Sequence, residues 1–143
     1  MFRKTQAVKR LRKLDKRTKI IRGGSSAGKT IAILMILIDY AIKNEGKEIS
    51  VVAESIPHLR RGALKDFLTL LKTTNRYDER QFNRSILKYE FSTGSYIEFF
   101  STDQPDKLRG ARRTDLFINE CNNVSFDSYQ QLSVRTSGSV WLD

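Results

Sequence analysis

Near its N-terminus the chain reads Gly23-Gly24-Ser25-Ser26-Ala27-Gly28-Lys29-Thr30. This stretch fits the phosphate-binding loop pattern G-x-x-x-x-G-K-[ST] at every fixed position. The apolar pair Ile20-Ile21 precedes it and is typical of a strand end, and the apolar run 31–38 follows it as a predicted buried helix. Strand, loop and helix in this order are the context that the motif requires, which favours nucleotide binding over a chance match in a glycine-containing turn.

The residue types of the loop match the chemistry of a triphosphate. Backbone N–H groups between Gly23 and Gly28 can turn inward around phosphate oxygens, and the positive end of the following helix dipole faces the same anion. Lys29 can reach the β- and γ-phosphates, and the Thr30 hydroxyl can bind Mg²⁺. We therefore expect residues 23–30 to bind ATP together with Mg²⁺.

The composition is typical of a globular chain with one core. Its 143 residues suffice for a single domain, and 39% apolar and 29% charged residues are ordinary values. The single cysteine, Cys121, excludes an internal disulfide and a cysteine-cluster zinc site and fits a reducing compartment. The run 31–38 is too short to span a bilayer, and the N-terminus lacks the apolar core of a secretory signal. These features predict an intracellular protein that does not act on a membrane.

Positive charge is concentrated at the N-terminus. Residues 1–22 contain ten of the 26 lysines and arginines and one acidic residue, so they carry nine of the ten net positive charges. A basic segment ahead of a near-neutral domain indicates a polyanion partner, with nucleic acid as the first candidate. The alternative is a solvated arm that contributes to solubility alone.

Hydrophobic patterns alternate between strand and helix along the chain. We predict helices at 6–17, 30–44, 57–72 and 126–134, the first from the apolar stripe of Ala7, Leu11 and Leu14. We predict strands at 19–22, 49–53, 116–118 and 140–142, and a hairpin of 86–91 with 95–100. Residues 75–84 and 103–113 are predicted to be loops. This alternation predicts an α/β fold in which helices flank a mainly parallel central sheet and the hairpin is an antiparallel addition.

A second polar constellation follows the predicted strand at 116–118. Asn119 and Glu120 end this hydrophobic segment in the layout of a Walker B segment, and the carboxyl ends of parallel strands meet beside the phosphates. Asn119 can contact the Mg²⁺ shell there, although a carboxylate would be the stronger partner. Glu120 can orient and deprotonate the attacking water. The alternative is a surface Asn-Glu pair that merely ends a strand.

Three arginines precede that strand, in the block Lys107-Leu108-Arg109-Gly110-Ala111-Arg112-Arg113. Arginine can stabilise the charge of a phosphoryl-transfer transition state, either in cis or from a neighbouring subunit. A solvated basic loop and a contact with the DNA backbone are the alternatives.

The order of these motifs resembles the ATPase domain of phage large terminase subunits over roughly residues 18–143. The phosphate loop is common to many NTPases. The specific part is Lys-Leu-Arg-Gly-Ala-Arg at 107–112 leading into Leu-Phe-Ile-Asn-Glu-Cys at 116–121. The resemblance implies an ASCE-type P-loop fold and a DNA-packaging motor of a tailed bacteriophage, which hydrolyses ATP to translocate double-stranded DNA into the prohead.

The resemblance also implies residue roles and partners. Lys29 and Thr30 would serve the phosphates and Mg²⁺, Glu120 would be the catalytic glutamate, and Arg109 would act in trans on a neighbour's nucleotide. Arg112 and Arg60 are the other candidates for the trans arginine. The implied partners are double-stranded DNA, the portal protein, the small terminase subunit and further copies of the chain in a ring. Such a protein works in the host cytoplasm and is not part of a mature virion.

The chain departs from this family in several places. Ser25 and Ser26 stand where many relatives carry an arginine in the phosphate loop, and Asn119 stands where some carry aspartate. The motif that couples hydrolysis to movement is expected at or beyond Asp143, and the RNase H-like nuclease domain that normally follows is absent. We therefore expect a basic N-terminal arm with a helix at 1–17 and a truncated P-loop ATPase domain at 18–143, without DNA cleavage.

Two other functions stay open at this point. One is another P-loop NTPase that acts on nucleic acid, such as a helicase-like protein. The other is a nucleotide-binding module with no hydrolysis of its own, which Asn119 and the early chain end would explain. Among the remaining residues, His58 is predicted to stand alone as a surface or helix-start residue, Cys121 to pack behind the strand end, and Trp141 to lie in the core.

Overall fold

The computed structural model describes residues 6–13, 16–22, 26–110 and 112–143, with the backbone alone at Ala7, Ser26 and Ala27. In these residues the helices are α1 (Gln6–Arg12), α2 (Ser26–Lys43), α3 (Ile56–Arg61), α4 (Ala63–Thr73), α5 (Pro105–Leu108) and α6 (Phe126–Val134). The strands are β1 (Thr18–Ile20), β2 (Glu48–Ala53), β3 (Phe82–Asn83), β4 (Lys88–Glu90), β5 (Tyr96–Ser101), β6 (Asp115–Ile118) and β7 (Val140–Leu142). Short 3₁₀ turns lie at Glu79–Gln81 and Cys121–Asn123.

One sheet joins the strands of the described residues in the order β1-β7-β6-β2-β5-β4-β3. The strands β1, β7, β6, β2 and β5 pair in parallel, whereas β4 and β3 continue the sheet in antiparallel pairing. The predicted α/β fold with a mainly parallel sheet is therefore confirmed. The hairpin of β4 and β5 is present, but β5 is not an antiparallel addition. It pairs in parallel with β2 along six residues and so belongs to the central sheet.

Strand β7 lies between β1 and β6. Leu142 is the register partner of both Ile20 in β1 and Ile118 in β6. The strand that precedes the phosphate loop and the strand that precedes Asn119 are therefore not neighbours. The residue that follows β7 therefore lies between the phosphate loop and Asn119 at the edge of the sheet. This residue is Asp143.

Alternate residues of the central strands fill cores on the two faces of the sheet. Val51, Phe99 and Phe117 belong to the core that includes residues of α1, α2, α3 and α4. Val52 and Ile118 belong to the core that includes residues of α5 and α6. Because both faces are buried, β2 and β6 are apolar along nearly their whole length, as expected for parallel strands.

Helix α1 packs against α2. Val8 and Leu11 are buried, and Arg12 donates to Asp39 Oδ2 on α2 at 3.0 Å. The helix ends at Arg12 rather than at residue 17, since the chain must leave it to enter β1 at Thr18. Leu14 and the Ala7 side chain lie outside the described residues, and the division of the chain at residues 17 and 18 stays a prediction.

Gly62 divides the predicted helix 57–72 into α3 and α4. Its backbone has φ −111° and ψ −105°, outside the helical region, and its N–H donates to the carbonyls of His58 and Leu59 at 3.0 and 3.3 Å. A side chain here would place a Cβ atom 3.1 Å from the His58 carbonyl oxygen. The prediction of one continuous helix at 57–72 was therefore wrong at Gly62.

Two predicted loops contain short regular elements. Residues 75–84 include a 3₁₀ turn and β3, because Phe82 pairs with Tyr89 of β4. Residues 103–113 include α5, whose Pro105 occupies a first-turn position that suits proline. The helix predicted at 126–134 is confirmed, and the side chain of Ser125 caps it. In the part of the chain that the structure describes, no helix has both the length and the apolar character needed to cross a membrane.

Candidate functional site

The parallel strands β1, β7, β6 and β2 bring polar residues to one edge of the sheet, because their carboxyl ends emerge there. The phosphate loop and α2 follow β1, Asn119 and Glu120 follow β6, Asp143 follows β7, and α3 follows β2. The chemistry-bearing residues at this edge are Lys29, Thr30, His58, Asn119, Glu120 and Asp143.

The phosphate loop is described from Ser26 onward. Gly23, Gly24 and Ser25 lie outside the described residues, as do the side chains of Ser26 and Ala27. Helix α2 begins at Ser26, four residues earlier than predicted, because residues 26–29 of the loop already have helical backbone. N–H groups in a first helical turn have no partner within the helix, so they can bind an anion. Gly28 is exposed, Lys29 is half-buried and Thr30 is buried.

The Thr30 hydroxyl connects α2 to the ends of β6 and β7. Its Oγ1 lies 3.2 Å from Asn119 Oδ1 and 3.1 Å from Asp143 Oδ2. A hydroxyl carries one proton, so it donates to one of these oxygens at a time. Thr30 and Asn119 are only 4% and 5% exposed, which shields this group of oxygens from bulk water.

The same oxygens form a donor set that suits Mg²⁺. A hydroxyl, an amide carbonyl and a carboxylate are all hard oxygen ligands, which this ion prefers. Asp143 supplies the carboxylate that Asn119 lacks at the end of β6. The residues present therefore fit the ion that the phosphate loop implies. Among the described residues there is no histidine, cysteine or carboxylate cluster suited to another metal.

Asp143 is held on both carboxylate oxygens. Oδ2 accepts from Thr30, and Oδ1 accepts from the backbone N–H of Glu120 at 2.6 Å. Burial raises the pKa of the Asp143 carboxyl, and the nearby charge of Glu120 acts in the same direction. The two hydrogen bonds and the charge of Lys29 oppose this rise in pKa without cancelling it. A cation entering the site would stabilise the ionised form of Asp143.

Glu120 has an unusual backbone. Its φ of 53° and ψ of 58° lie in the left-handed region, which few residues other than glycine adopt. Such backbone strain costs about 1–3 kcal/mol and persists only where the surroundings impose it. Here the N–H bond to Asp143 holds the backbone, and the carboxylate Oε2 is in contact with Nε2 of His58.

The prediction that His58 stands alone at a helix start was therefore wrong in one respect. His58 does lie in the first turn of α3, but α3 begins directly after β2, which is the neighbour of β6 in the sheet. This adjacency brings the histidine to the glutamate at the end of β6.

The arginine block divides into surface and buried members. Arg109 directly follows α5 and is exposed, as is Arg112. Arg113 is buried, and its guanidinium donates to Ser50 Oγ at 2.9 Å and to the Leu132 carbonyl at 3.0 Å. The alternative of a solvated loop is therefore wrong for Arg113, which joins the end of α6 to the sheet. Arg109 and Arg112 are still available for contacts outside the chain.

Sequence reasoning missed two residues at this edge, Asp143 and His58. A signal for Asp143 was present, since it follows a buried strand just as Asn119 follows β6. No local signal marked His58, because its partner is 62 positions away and depends on strand order. As predicted, Trp141 lies in the core that includes residues of α1 to α4. Cys121 packs beside the core that includes residues of α5 and α6, and burial there raises the pKa of its thiol.

Comparison with known proteins decides the family. A family model described as phage terminase large subunit matches residues 15–138 of the 143. The chain belongs to the phage terminase large subunit family. A search of curated proteins found no match to this terminase sequence.

Solved structures of terminases share the fold. The large terminase from a thermophilic bacteriophage matches with a TM-score of 0.77 and 22% identity, over 96% of this chain and 37% of that one. The ATPase domain of the Thermus phage P74-26 large terminase matches with a TM-score of 0.72 and 16% identity, over 99% and 64%. The Phi-28 gp11 DNA packaging motor matches with a TM-score of 0.58 and 13% identity, over 94% and 48%. The chain thus spans little more than a third of the thermophilic phage terminase.

Replacing Thr30 tests whether its hydroxyl stabilises the fold by joining α2 to the ends of β6 and β7. Thr30→Val removes the donor that the buried Asn119 Oδ1 and the partly buried Asp143 Oδ2 share, so the free energy of unfolding should fall by about 1–3 kcal/mol. Thr30→Ser keeps the hydroxyl and should lose less, about 0.8 kcal/mol for the methyl group. Urea unfolding of the parent and both variants measures these losses in the free energy of unfolding. Equal losses in the two variants would show that the hydroxyl is dispensable.

Proposed function

We propose that this chain is the ATPase module of a viral DNA-packaging motor, in which ATP hydrolysis translocates double-stranded DNA into the prohead. One edge of this terminase-family fold brings together Lys29, Thr30, Asn119, Asp143 and Glu120, and this arrangement supports the proposal. Nucleotide binding is supported by the large terminase of the thermophilic bacteriophage, which has been solved in complex with ADP and with ATP-gamma-S.

The residues at this edge suit hydrolysis of the γ-phosphate. Lys29 binds the β- and γ-phosphates as their countercharge. Glu120 accepts a proton from a water molecule, whose oxygen bonds to the γ-phosphorus while the bond from that phosphorus to the bridging oxygen breaks. The products are ADP and inorganic phosphate. Mg²⁺, held by Thr30, Asn119 and Asp143, would neutralise phosphate charge when bound.

Membership of the terminase family does not favour the helicase-like alternative. A nucleotide-binding module without hydrolysis is a separate possibility, and the position of Glu120 argues against it. Its carboxylate is 35% exposed and stands at the strand end next to Asn119, where water can reach it. A glutamate that only ended a strand would not need the strained backbone seen here.

We extend the proposal to the partners of such a motor. Lys9, Arg10 and Lys13 on and after α1 are exposed, and they present positive charge suited to the phosphates of double-stranded DNA. The Phi-28 structure is described as a DNA packaging motor, which supports a packaging role for this fold. We propose as further partners the portal protein and the small terminase subunit. We also propose that identical chains form a ring and that the motor works in the host cytoplasm.

Glu120→Gln tests the hydrolytic role. The variant should bind ATP as well as the parent does, while ATP turnover in the assembled motor falls by about 10²–10⁴-fold, the usual contribution of a positioned general base. Glu54→Gln makes the same change at an exposed position just after β2 and should keep parental turnover. A phosphate-release assay compares the three proteins. Equal turnover in Glu120→Gln and the parent would contradict the role, and would favour a module without hydrolysis of its own.

We also propose that Arg109 stabilises the transition state on a neighbouring subunit. The phosphate loop has serines at 25 and 26, so Lys29 and Mg²⁺ alone would face the charge that develops on the γ-phosphate. A guanidinium keeps its charge and matches phosphate oxygens in a planar fork. Arg109 is exposed at the end of the single turn α5, and Gly110 follows it, so its side chain can reach a second subunit.

Mixing two inactive variants tests this trans role. Arg109→Ala and Glu120→Gln should each be inactive alone, since an arginine finger contributes about 10³–10⁵-fold in rate. Co-assembled, they should recover part of the ATP turnover, because a subunit with intact Glu120 can receive Arg109 from its neighbour. Absence of recovery despite confirmed co-assembly would point to a cis role, or to Arg112 or Arg60.

A further inference from the structure

The single histidine of the chain is the side-chain partner of the glutamate that we propose as the general base. Nε2 of His58 is in contact with Oε2 of Glu120, and the two side chains are 32% and 35% exposed. The contact joins two neighbouring parallel strands, because α3 follows β2 and Glu120 follows β6. It lies at the same edge as Thr30 and Asp143.

The backbone of Glu120 is fixed independently of this contact. Its N–H donates to Asp143 Oδ1 at 2.6 Å, and the N–H of the preceding Asn119 donates to the Val52 carbonyl at 2.8 Å. What stays variable is the rotation about the three side-chain torsions of Glu120. Each torsion has several staggered minima, so a carboxylate without a partner would spread over many positions. The contact with His58 selects among them.

His58 is itself held in place. Its backbone N–H donates to Ser55 Oγ at 3.3 Å, which caps the helix, and Pro57 limits the backbone at the first turn. Leu59, which is fully buried, anchors α3 to the core, and the backbone of Gly62 ends the helix. A side chain can position a catalytic group only if its own support is rigid, and α3 supplies that support.

The chemistry of the contact defines its direction. An ionised carboxylate accepts hydrogen bonds only, whereas a neutral imidazole carries one N–H that can sit on Nε2. The imidazole therefore donates from Nε2 to Oε2 of Glu120. The second carboxylate oxygen, Oε1, is then left to take the proton of the attacking water.

We propose that His58 is a positioning residue for ATP hydrolysis, which holds Glu120 by Oε2 so that Oε1 faces the attacking water. This inference rests on the proposed function, because it assigns a role to a partner of the proposed general base. It predicts that His58 affects the rate of the chemical step and leaves nucleotide affinity unchanged, because the contact of its side chain that the structure describes is with the glutamate.

Two substitutions separate this role from a structural one. His58→Ala removes the donor and should lower ATP turnover in the assembled motor by about 10–100-fold, the range known for removing the hydrogen-bonding partner that orients a metal ligand. Its affinity for a fluorescent ATP analogue should stay within about twofold of the parent, since binding and catalysis report separate interactions. His58→Gln restores an N–H donor and should recover most of the turnover. Arg61→Ala, at an exposed position of the same helix, is the matched control and should behave as the parent.

A double-mutant cycle and one spectroscopic signal complete the test. In a Glu120→Gln background, His58→Ala should cause little further loss, because the two residues act as a unit. Since His58 is the only histidine, its ring nitrogens give a single set of NMR signals in the 143-residue chain. These signals should shift in Glu120→Ala and not in Glu54→Ala.

The outcomes distinguish this inference from the proposed function. If Glu120→Gln abolishes turnover but His58→Ala matches or exceeds the parent, the positioning role is wrong and the proposed function stands. If Glu120→Gln turns over like the parent, the proposed function fails. If the NMR signals of the His58 ring do not shift in Glu120→Ala, the contact between the two side chains is wrong, whatever the ATP turnover.

Discussion

The parallel pairing of β7 between β1 and β6 determines where the functional groups of this chain lie. Neighbouring strands are about 4.8 Å apart, so β1 and β6 are separated by about twice that distance. Asp143, at the end of β7, occupies the space between them. Its two carboxylate oxygens contact Thr30 on one side and the Glu120 backbone on the other. Asp143 is thus a partner that Thr30 of the phosphate loop and the proposed catalytic glutamate share.

This arrangement also accounts for Asn119. An amide at the end of β6 is a weak ligand for Mg²⁺ or its waters compared with a carboxylate. The structure places a carboxylate one strand away, within 3.1 Å of the same Thr30 hydroxyl. The negative charge expected at β6 is thus supplied from β7. Asn119 keeps a role as an uncharged acceptor for Thr30, which avoids a second carboxylate beside Asp143 and the repulsion between the two.

Much of the fold could be predicted from the sequence, because buried parallel strands and α2 have long apolar runs with clear ends. The α/β class, the hairpin and the helix at 126–134 needed only local patterns. The break at Gly62 could not be predicted in the same way, since it depends on the backbone of one residue. The parallel pairing of β5 with β2 depends on strand order, which no local pattern encodes.

The candidate site was predictable to a similar degree. Lys29, Thr30, Asn119 and Glu120 were found from motifs that each lie within one stretch of chain. His58 and Asp143 act through contacts with residues far away in sequence, and those contacts exist only once the strands are ordered. Arg113 illustrates the same limit, since its burial follows from α6 packing against the sheet rather than from its charged neighbours.

We propose that this edge of the sheet binds a nucleoside triphosphate through Lys29. Titration of the parent and of Lys29→Ala with a fluorescent ATP analogue in the presence of Mg²⁺ tests it most directly, with the exposed Lys65→Ala as the control. A hydrogen bond to a charged group contributes about 1.5–3 kcal/mol, so we expect an affinity loss of at least about tenfold for Lys29→Ala and parental affinity for Lys65→Ala. Equal affinity of Lys29→Ala and the parent would show that Lys29 does not bind the nucleotide.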